Sequence, residues 1–239
     1  LRSRDDPGLE LLWDDVEVYS EVTLRDGVAL WRSVGGSGSV VPADGCVDLI
    51  LRDDAVLVAG PSTRWIDTLA DGDEGSFGLR LPPGEAASLL GVPLVDLADK
   101  RLALEEVVPA RDQRITAALR EIAGGLRPSI DLTMSLTSAT RWTGFVRRSA
   151  SGLVPARVVA EELAWSERTF RRRMAIEFGY GYATLVRIER AVRARSVLRS
   201  GASVSAAAAL VGYADQPHLS REFRRLVGMS PGQFVSSSA

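Results

Sequence analysis

The 239-residue sequence holds one cysteine, one histidine, a single lysine and only 6% aromatic residues. Each scarcity excludes something. A lone Cys46 permits no internal disulfide and fits a reducing compartment. His218 has neither a second histidine nor a cysteine pair with which to hold a metal, so a surface role is its simpler reading. No metal site, no cofactor and no enzyme is expected. No run of about 18 apolar residues occurs, as a membrane span would need. The opening Leu1-Arg2-Ser3-Arg4-Asp5-Asp6 lacks the apolar stretch of a signal peptide, so a cytoplasmic chain with no membrane contact is expected. Gly35-Gly36-Ser37-Gly38 lacks the following lysine and helix start that a phosphate-cradling loop requires.

What is present is an ordinary globular composition, 46% hydrophobic and 25% charged, with an uneven charge distribution. Residues 1–110 carry 9 Lys/Arg against 21 Asp/Glu, a net −12, while residues 111–239 carry 20 against 10, a net +10. An acidic front and a basic rear point to nucleic-acid contact by the rear, although two solvated surfaces would show the same split. Every basic residue except Lys100 is arginine.

The front half reads as β structure. Val16 to Tyr19, Val28 to Trp31, Val47 to Leu51, Ala55 to Ala59 and Phe77 to Leu81, the last of them, are short apolar or alternating runs. Turn residues such as Asp53-Asp54 and Gly60-Pro61 separate them, which suggests a small barrel or sandwich. Cys46 falls on a predicted strand as a buried small hydrophobe, and Asp44 and Asp48 beside it make no convincing acid/base pair. Glu85 to Leu90 reads as a short helix ended near Gly91. From about Arg111 the period becomes helical, with Ile115, Leu119 and Ile122 on one face, and a second helix is expected from about Leu132 to Arg148. Ser149-Ala150-Ser151-Gly152 reads as a linker. The expected architecture is α+β: a β-rich N-terminal domain at 1–110, a small, cupin-like β-barrel; a helical linker at 111–152; and an all-α domain at 153–239.

That last region contains a cryptic repeat. Phe170, Met174 and Gly179 are spaced by four and five, as are Leu219, Phe223 and Gly228. Each set follows a short helix (Val159 to Leu163; Val204 to Val211) and a tight turn, with Ser166 and Asp215 placed to cap the second helix. Between the copies, Ala183 to Arg199 reads as one long helix with Leu185, Ile188 and Val192 inward. Short helix, turn, second helix is the helix-turn-helix layout. Its second helix anchors one face in the domain and offers the other to DNA. The outward positions are Glu167, Arg168, Arg171 and Arg172 in the first unit, and Gln216, Pro217, His218, Ser220, Arg221, Arg224 and Arg225 in the second. Arginine and glutamine can make paired hydrogen bonds to guanine and adenine edges, and surplus arginines serve phosphates. Any surface helix also shows charges outward, but two copies with matching spacing favour the DNA reading.

The stretch Gly212-Tyr213-Ala214-Asp215-Gln216-Pro217-His218-Leu219-Ser220-Arg221-Glu222-Phe223-Arg224-Arg225, then Gly228-Met229-Ser230-Pro231 and Phe234, resembles the AraC/XylS family of bacterial transcription regulators. The family pattern is a glycine-aromatic turn, a polar helix with an aromatic anchor, then glycine, proline and an aromatic. The first unit departs from it, with Gly179-Tyr180-Gly181-Tyr182 where the family usually has a proline after the glycine. The resemblance implies a double-stranded-DNA reader, acting as an activator or a repressor, whose two recognition helices enter successive major-groove segments roughly 34–36 Å apart. It implies base contacts from Arg168, Arg171 and Arg172, and from Gln216, His218, Ser220 and Arg221, with Ser166 and Glu167 at the first helix start. Arg224 and Arg225 would act as phosphate clamps.

More loosely, Val41 to Ile50, Gly60-Pro61 and Gly78 to Gly84 resemble the β-rich sensory domains that precede this region in such regulators. Trp13, Trp31 and Trp65 would line an effector cavity or serve as core. The helix from Arg111 to Ile122 would pair with a second subunit or pack on its own barrel. Control by a small-molecule effector, contact with RNA polymerase and a homodimer therefore stand as expectations, beside the alternative of a ligand-independent regulator whose front domain is a protein-interaction or dimerisation module.

Overall fold

Alternation of apolar and polar residues folds the front half around one sheet. The computed structural model describes residues 19–24, 27–35, 38–68, 70–71, 75–124 and 141–237. Its strands are β1 (Tyr19–Thr23), β2 (Ala29–Ser33), β3 (Val40–Val41), β4 (Val47–Arg52), β5 (Ala55–Ala59), β6 (Ile66–Asp67), β7 (Ser76–Leu81) and β8 (Arg101–Ala103). Six of them form an antiparallel sheet in the order β1-β2-β7-β4-β5-β8, and β3 pairs with β6 apart from it. Asp53 and Asp54 turn the β4–β5 hairpin with φ of 47° and 64°, as a two-residue primed turn requires.

The register lines up Leu30, Leu79, Leu49 and Val58 across β2, β7, β4 and β5, all fully buried. Each such side chain contributes about 1.5–3 kcal/mol by leaving water. Helix α1 (Ala86–Leu90), a 3-10 turn (Leu94–Asp96), α2 (Leu104–Val107) and α3 (Asp112–Ala123) add to this core. α3 does so with Ile115, Ala118, Leu119 and Ile122, so its apolar stripe packs on its own sheet.

The rear half is helical: α4 (Arg141–Ser151), α5 (Ala156–Glu162), α6 (Glu167–Phe178), α7 (Tyr182–Arg199), α8 (Val204–Leu210), α9 (Gln216–Val227) and α10 (Pro231–Ser237). A second core joins Phe170, Met174 and Phe178 of α6, Leu185, Ile188 and Leu198 of α7, and Leu219, Phe223 and Leu226 of α9.

Several expectations change. Among the described residues β1 and β8 are the sheet's edges, so closure into a barrel is not shown, while the sheet is compatible with the cupin-like expectation. Phe77 to Leu81 is not the last strand, because β8 follows and pairs with β5; three residues are too few for alternation to announce. Cys46 precedes β4 in irregular backbone, its N–H held by the Asp44 side chain at 2.9 Å. Ser149 and Ala150, read as linker, are buried in the last turns of α4, where Val146 and Ala150 join the rear core. Val192 is 40% exposed, while Ala191 takes the inward place, because burial along α7 steps in threes from Tyr182 through Leu185 and Ile188. The expected strand residues Val16 to Val18, Trp13, and the start of the helix expected from Leu132 lie outside the described residues.

Candidate nucleic-acid interface

Both predicted recognition helices are built by their caps. Ser166 accepts the Thr169 N–H at 3.2 Å to start α6, and Asp215 accepts the His218 N–H at 2.6 Å to start α9, where Pro217 needs no backbone donor. Gly179 and Gly228 end them with φ of 79° and 83°, the left-handed C-cap that glycine adopts without a Cβ penalty. Ala164 at φ 53° and Gly212 at φ 78° make the tight turns that precede the two helices.

The anchoring faces are closed. Phe170, Met174 and Phe178 are buried on α6, and Leu219, Phe223 and Leu226 on α9, with Phe223 meeting Phe234 edge-on at 5.4 Å. The opposite faces are open. Ser166, Glu167, Arg168, Arg171 and Arg172 are exposed, as are Gln216, Pro217, Arg221, Arg224 and Arg225, while His218 and Ser220 are half-buried. His218 lies edge-on against Tyr213 at 5.2 Å. Arg225 has the half-buried Glu222 at 3.8 Å, a loose pair. The two faces thus present six arginines on capped helices whose other sides are fixed in one core, a cationic surface suited to phosphates and base edges.

The sequence reading passed over the arginines of α7. Arg190 lies over the Tyr213 ring at 5.2 Å, and Arg195 and Arg199 lie over Phe234 at 5.9 and 5.0 Å. Burial, then the neighbouring Arg199, holds Arg195 below the usual arginine range. The signal was present as five arginines in one helix, but the helical pattern alone could not say that they face aromatic rings. Arg173, also passed over, lies 5.7 Å above Trp165.

Of the three tryptophans named as ligand-site residues, Trp13 lies outside the described residues, and Trp31 and Trp65 are not brought together. Trp31 is half-buried on the polar face of the sheet, lies against Gly78 and donates its Nε1–H to Asp48 at 2.8 Å. Arg80 links Asp48 (3.1 Å), Asp44 (3.7 Å) and Glu21 (3.2 Å) there. Burial pushes the Asp48 carboxyl up to about 6 against the pull of Arg80, and burial likewise raises the Cys46 thiol. Trp65 is 37% exposed and lines an open groove of about 610 Å³ with Arg64, Asp99, Lys100 and Arg101. Among the described residues no cluster of three or more His, Cys, Asp or Glu could hold a metal.

A family model described as "Helix-turn-helix domain" matches residues 159–237. The rear of the chain is an AraC-type helix-turn-helix domain. A second model, a domain of unknown function (DUF6597), matches residues 23–103, the sheet region in front of the AraC-type domain. The HTH-type transcriptional regulator VirS of Mycobacterium tuberculosis is 33% identical over 137 residues, which cover 57% of this chain and 39% of VirS. The chain thus spans well under half the length of the curated relatives it matches. Among solved structures, the chain is similar to the C-terminal domain of AraT, a response regulator from Geobacillus stearothermophilus, at 24% identity and a TM-score of 0.38, covering 41% of this chain and 86% of that one. It is also similar to ToxT from Vibrio cholerae, at 12% identity and a TM-score of 0.42, covering 92% and 98%. The sequence kin of the AraC-type domain are transcription regulators and not enzymes. No described helix is long and apolar enough to cross a membrane.

Proposed function

We propose that this protein is a cytoplasmic, sequence-specific transcription regulator that reads double-stranded DNA with α6 and α9 and is controlled by a small-molecule effector through its front domain. The observation that carries the reading is the pair of capped helices whose arginine-bearing faces, Arg168, Arg171 and Arg172 and then Arg221, Arg224 and Arg225, stand open to solvent. Arg171 and Arg221 read base edges, with Gln216 and His218 beside the latter, while Arg224 and Arg225 hold phosphates. In this reading residues 1–110 are the sensor, 111–152 the linking helices and 153–239 the reader, with α3 leaning on the sensor and α4 on the reader.

The effector enters the groove beside Trp65, whose volume of about 610 Å³ suits a small metabolite. RNA polymerase and a second copy of the chain are the further partners this class of regulator would meet. Because α3 uses its apolar stripe on its own sheet, a dimer through α3 would join its polar face.

Selection of bound duplexes from a random DNA pool by the full-length chain tests the reading. A bipartite motif with half-sites about ten base pairs apart is expected. Recovery of no enriched sequence overturns it. A concentration-dependent rise in melting midpoint with a metabolite, abolished by Trp65→Ala, is the expected sign of the effector site.

A further inference from the structure

Two short segments of the front domain each touch both helix-turn-helix units. The first is Ala43 to Gly45. Ala43 donates its backbone N–H to the Leu226 carbonyl at 2.7 Å, which satisfies one of the acceptors that the end of α9 leaves open. Two residues on, the Gly45 carbonyl accepts the hydroxyl of buried Tyr180, just past the end of α6, at 3.2 Å. A side chain on Gly45 would collide with that tyrosine.

The second segment is the loop 60–65 between β5 and β6. Pro61 presses on Gly179, the C-cap of α6, where a Cβ would come within 2.6 Å of Pro61 Cγ and 2.8 Å of the Leu94 carbonyl. Trp65 and Val40 press on Gly228, the C-cap of α9, where a Cβ would come within 3.0 and 2.7 Å of them. The loop is itself held in place. Asp99 accepts both the Thr63 N–H and the Thr63 hydroxyl at 2.7 Å, and the Ser62 carbonyl accepts the Gly45 N–H at 3.1 Å, which ties the two segments together.

We infer that these segments form a strap that fixes the angle and separation between the two recognition helices, and that Trp65 and Pro61 are positioning residues for DNA reading. The inference rests on the proposed DNA-reading role of α6 and α9. α7 is the link between the units within the rear domain, and it constrains them only through its own packing. The strap grips the opposite ends, the C-caps, and leaves the arginine-bearing faces free. Its consequence is specificity for half-site spacing. Moving one half-site by a base pair shifts it about 3.4 Å along the groove and rotates it around the duplex. A strapped pair of helices follows that displacement poorly; an unstrapped pair follows it better. The strap also lines the groove at Trp65, so an occupant of the groove acts on the contact with Gly228.

The test uses the full chain and the best duplex that it selects from a random pool, remade with the half-sites one base pair closer and one farther. Wild type is expected to lose about tenfold in affinity at either changed spacing, within the cost of a mismatched site. Trp65→Ala is expected to lose less than about threefold, and Trp65→Phe to restore the wild-type profile. If Trp65→Ala does not fold, Val40→Ala trims the other side of the same contact and is scored in the same way. A wild-type chain that selects no bipartite site removes the DNA reading and the strap with it. A bipartite site whose spacing profile is the same for wild type and the trimmed variant leaves the DNA reading standing and overturns the strap.

Discussion

Replacing Gly228 by alanine measures how firmly the two halves of the molecule press together, provided that a matched glycine separates backbone strain from crowding. Gly201 supplies the match. It follows the end of α7 with φ of 89°, and a Cβ there would meet nothing within 4 Å. Gly201→Ala should therefore cost only the left-handed penalty, about 1–2 kcal/mol. Gly228→Ala carries the same backbone penalty at φ 83°, and its Cβ enters space held by Val40 Cγ1 at 2.7 Å and the Trp65 ring at 3.0 Å. The valine methyl can yield a little, but the indole cannot do so without moving the loop. Forcing a methyl group into such a site typically costs about 1–3 kcal/mol more. The expected totals are about 1–2 kcal/mol for Gly201→Ala and about 2–5 kcal/mol for Gly228→Ala. Urea titration followed by far-ultraviolet circular dichroism and by tryptophan fluorescence reads both, with the slope of each transition checked for a separate unfolding of one half. Equal midpoints for the two variants would show that the front domain does not bear on the end of α9.

Arg221→Ala and Arg171→Ala should each weaken binding to the selected duplex by about 1–3 kcal/mol and relax discrimination at one base position, with the melting midpoint unchanged, because both side chains are exposed; a gel-shift titration against single-base variants reads this. Arg224→Ala should instead lower affinity evenly across sequences and reduce the slope of log affinity against log salt by about 1. Asp215→Ala removes the acceptor of the His218 N–H and should cost about 0.5–2 kcal/mol in a urea melt. The folded Asp48 carboxyl, raised by burial to about 6, binds its proton more tightly than in the unfolded chain. The contribution of Asp48 to stability should therefore fall as pH rises from about 4 to about 6. Asp48→Asn should remove that part of the pH profile, and parallel profiles for the variant and wild type would contradict it.

The helix-turn-helix units were legible because local rules govern them. A cap needs Ser166 or Asp215 at one position, a left-handed end needs Gly179 or Gly228, and an anchor needs an apolar residue every third or fourth place. In each unit all of these sit within a stretch of fourteen residues. The inward face of α7 was half legible, since Leu185 and Ile188 follow the same rule while Val192 and Ala191 are separated only by the way the helix leans on its neighbours. β8 was missed because its three residues are defined by their partner β5 and not by their own pattern. Trp31 and Trp65, alike as sequence symbols, went to different places: one to a hydrogen bond with Asp48, the other to a groove and a glycine of the rear domain.

What the order of residues determined by itself was the pair of capped helices, the outward position of their arginines and the division into an acidic β-rich front and a basic helical rear, because each depends on side chains near one another along the chain. Whether the sheet closes, where α3 places its apolar stripe, and the meeting of Ala43 with Leu226, Tyr180 with Gly45 and Trp65 with Gly228 were decided only by tertiary packing. Those contacts join residues more than a hundred positions apart, and their energies come from shape and from satisfied backbone groups that no local pattern encodes.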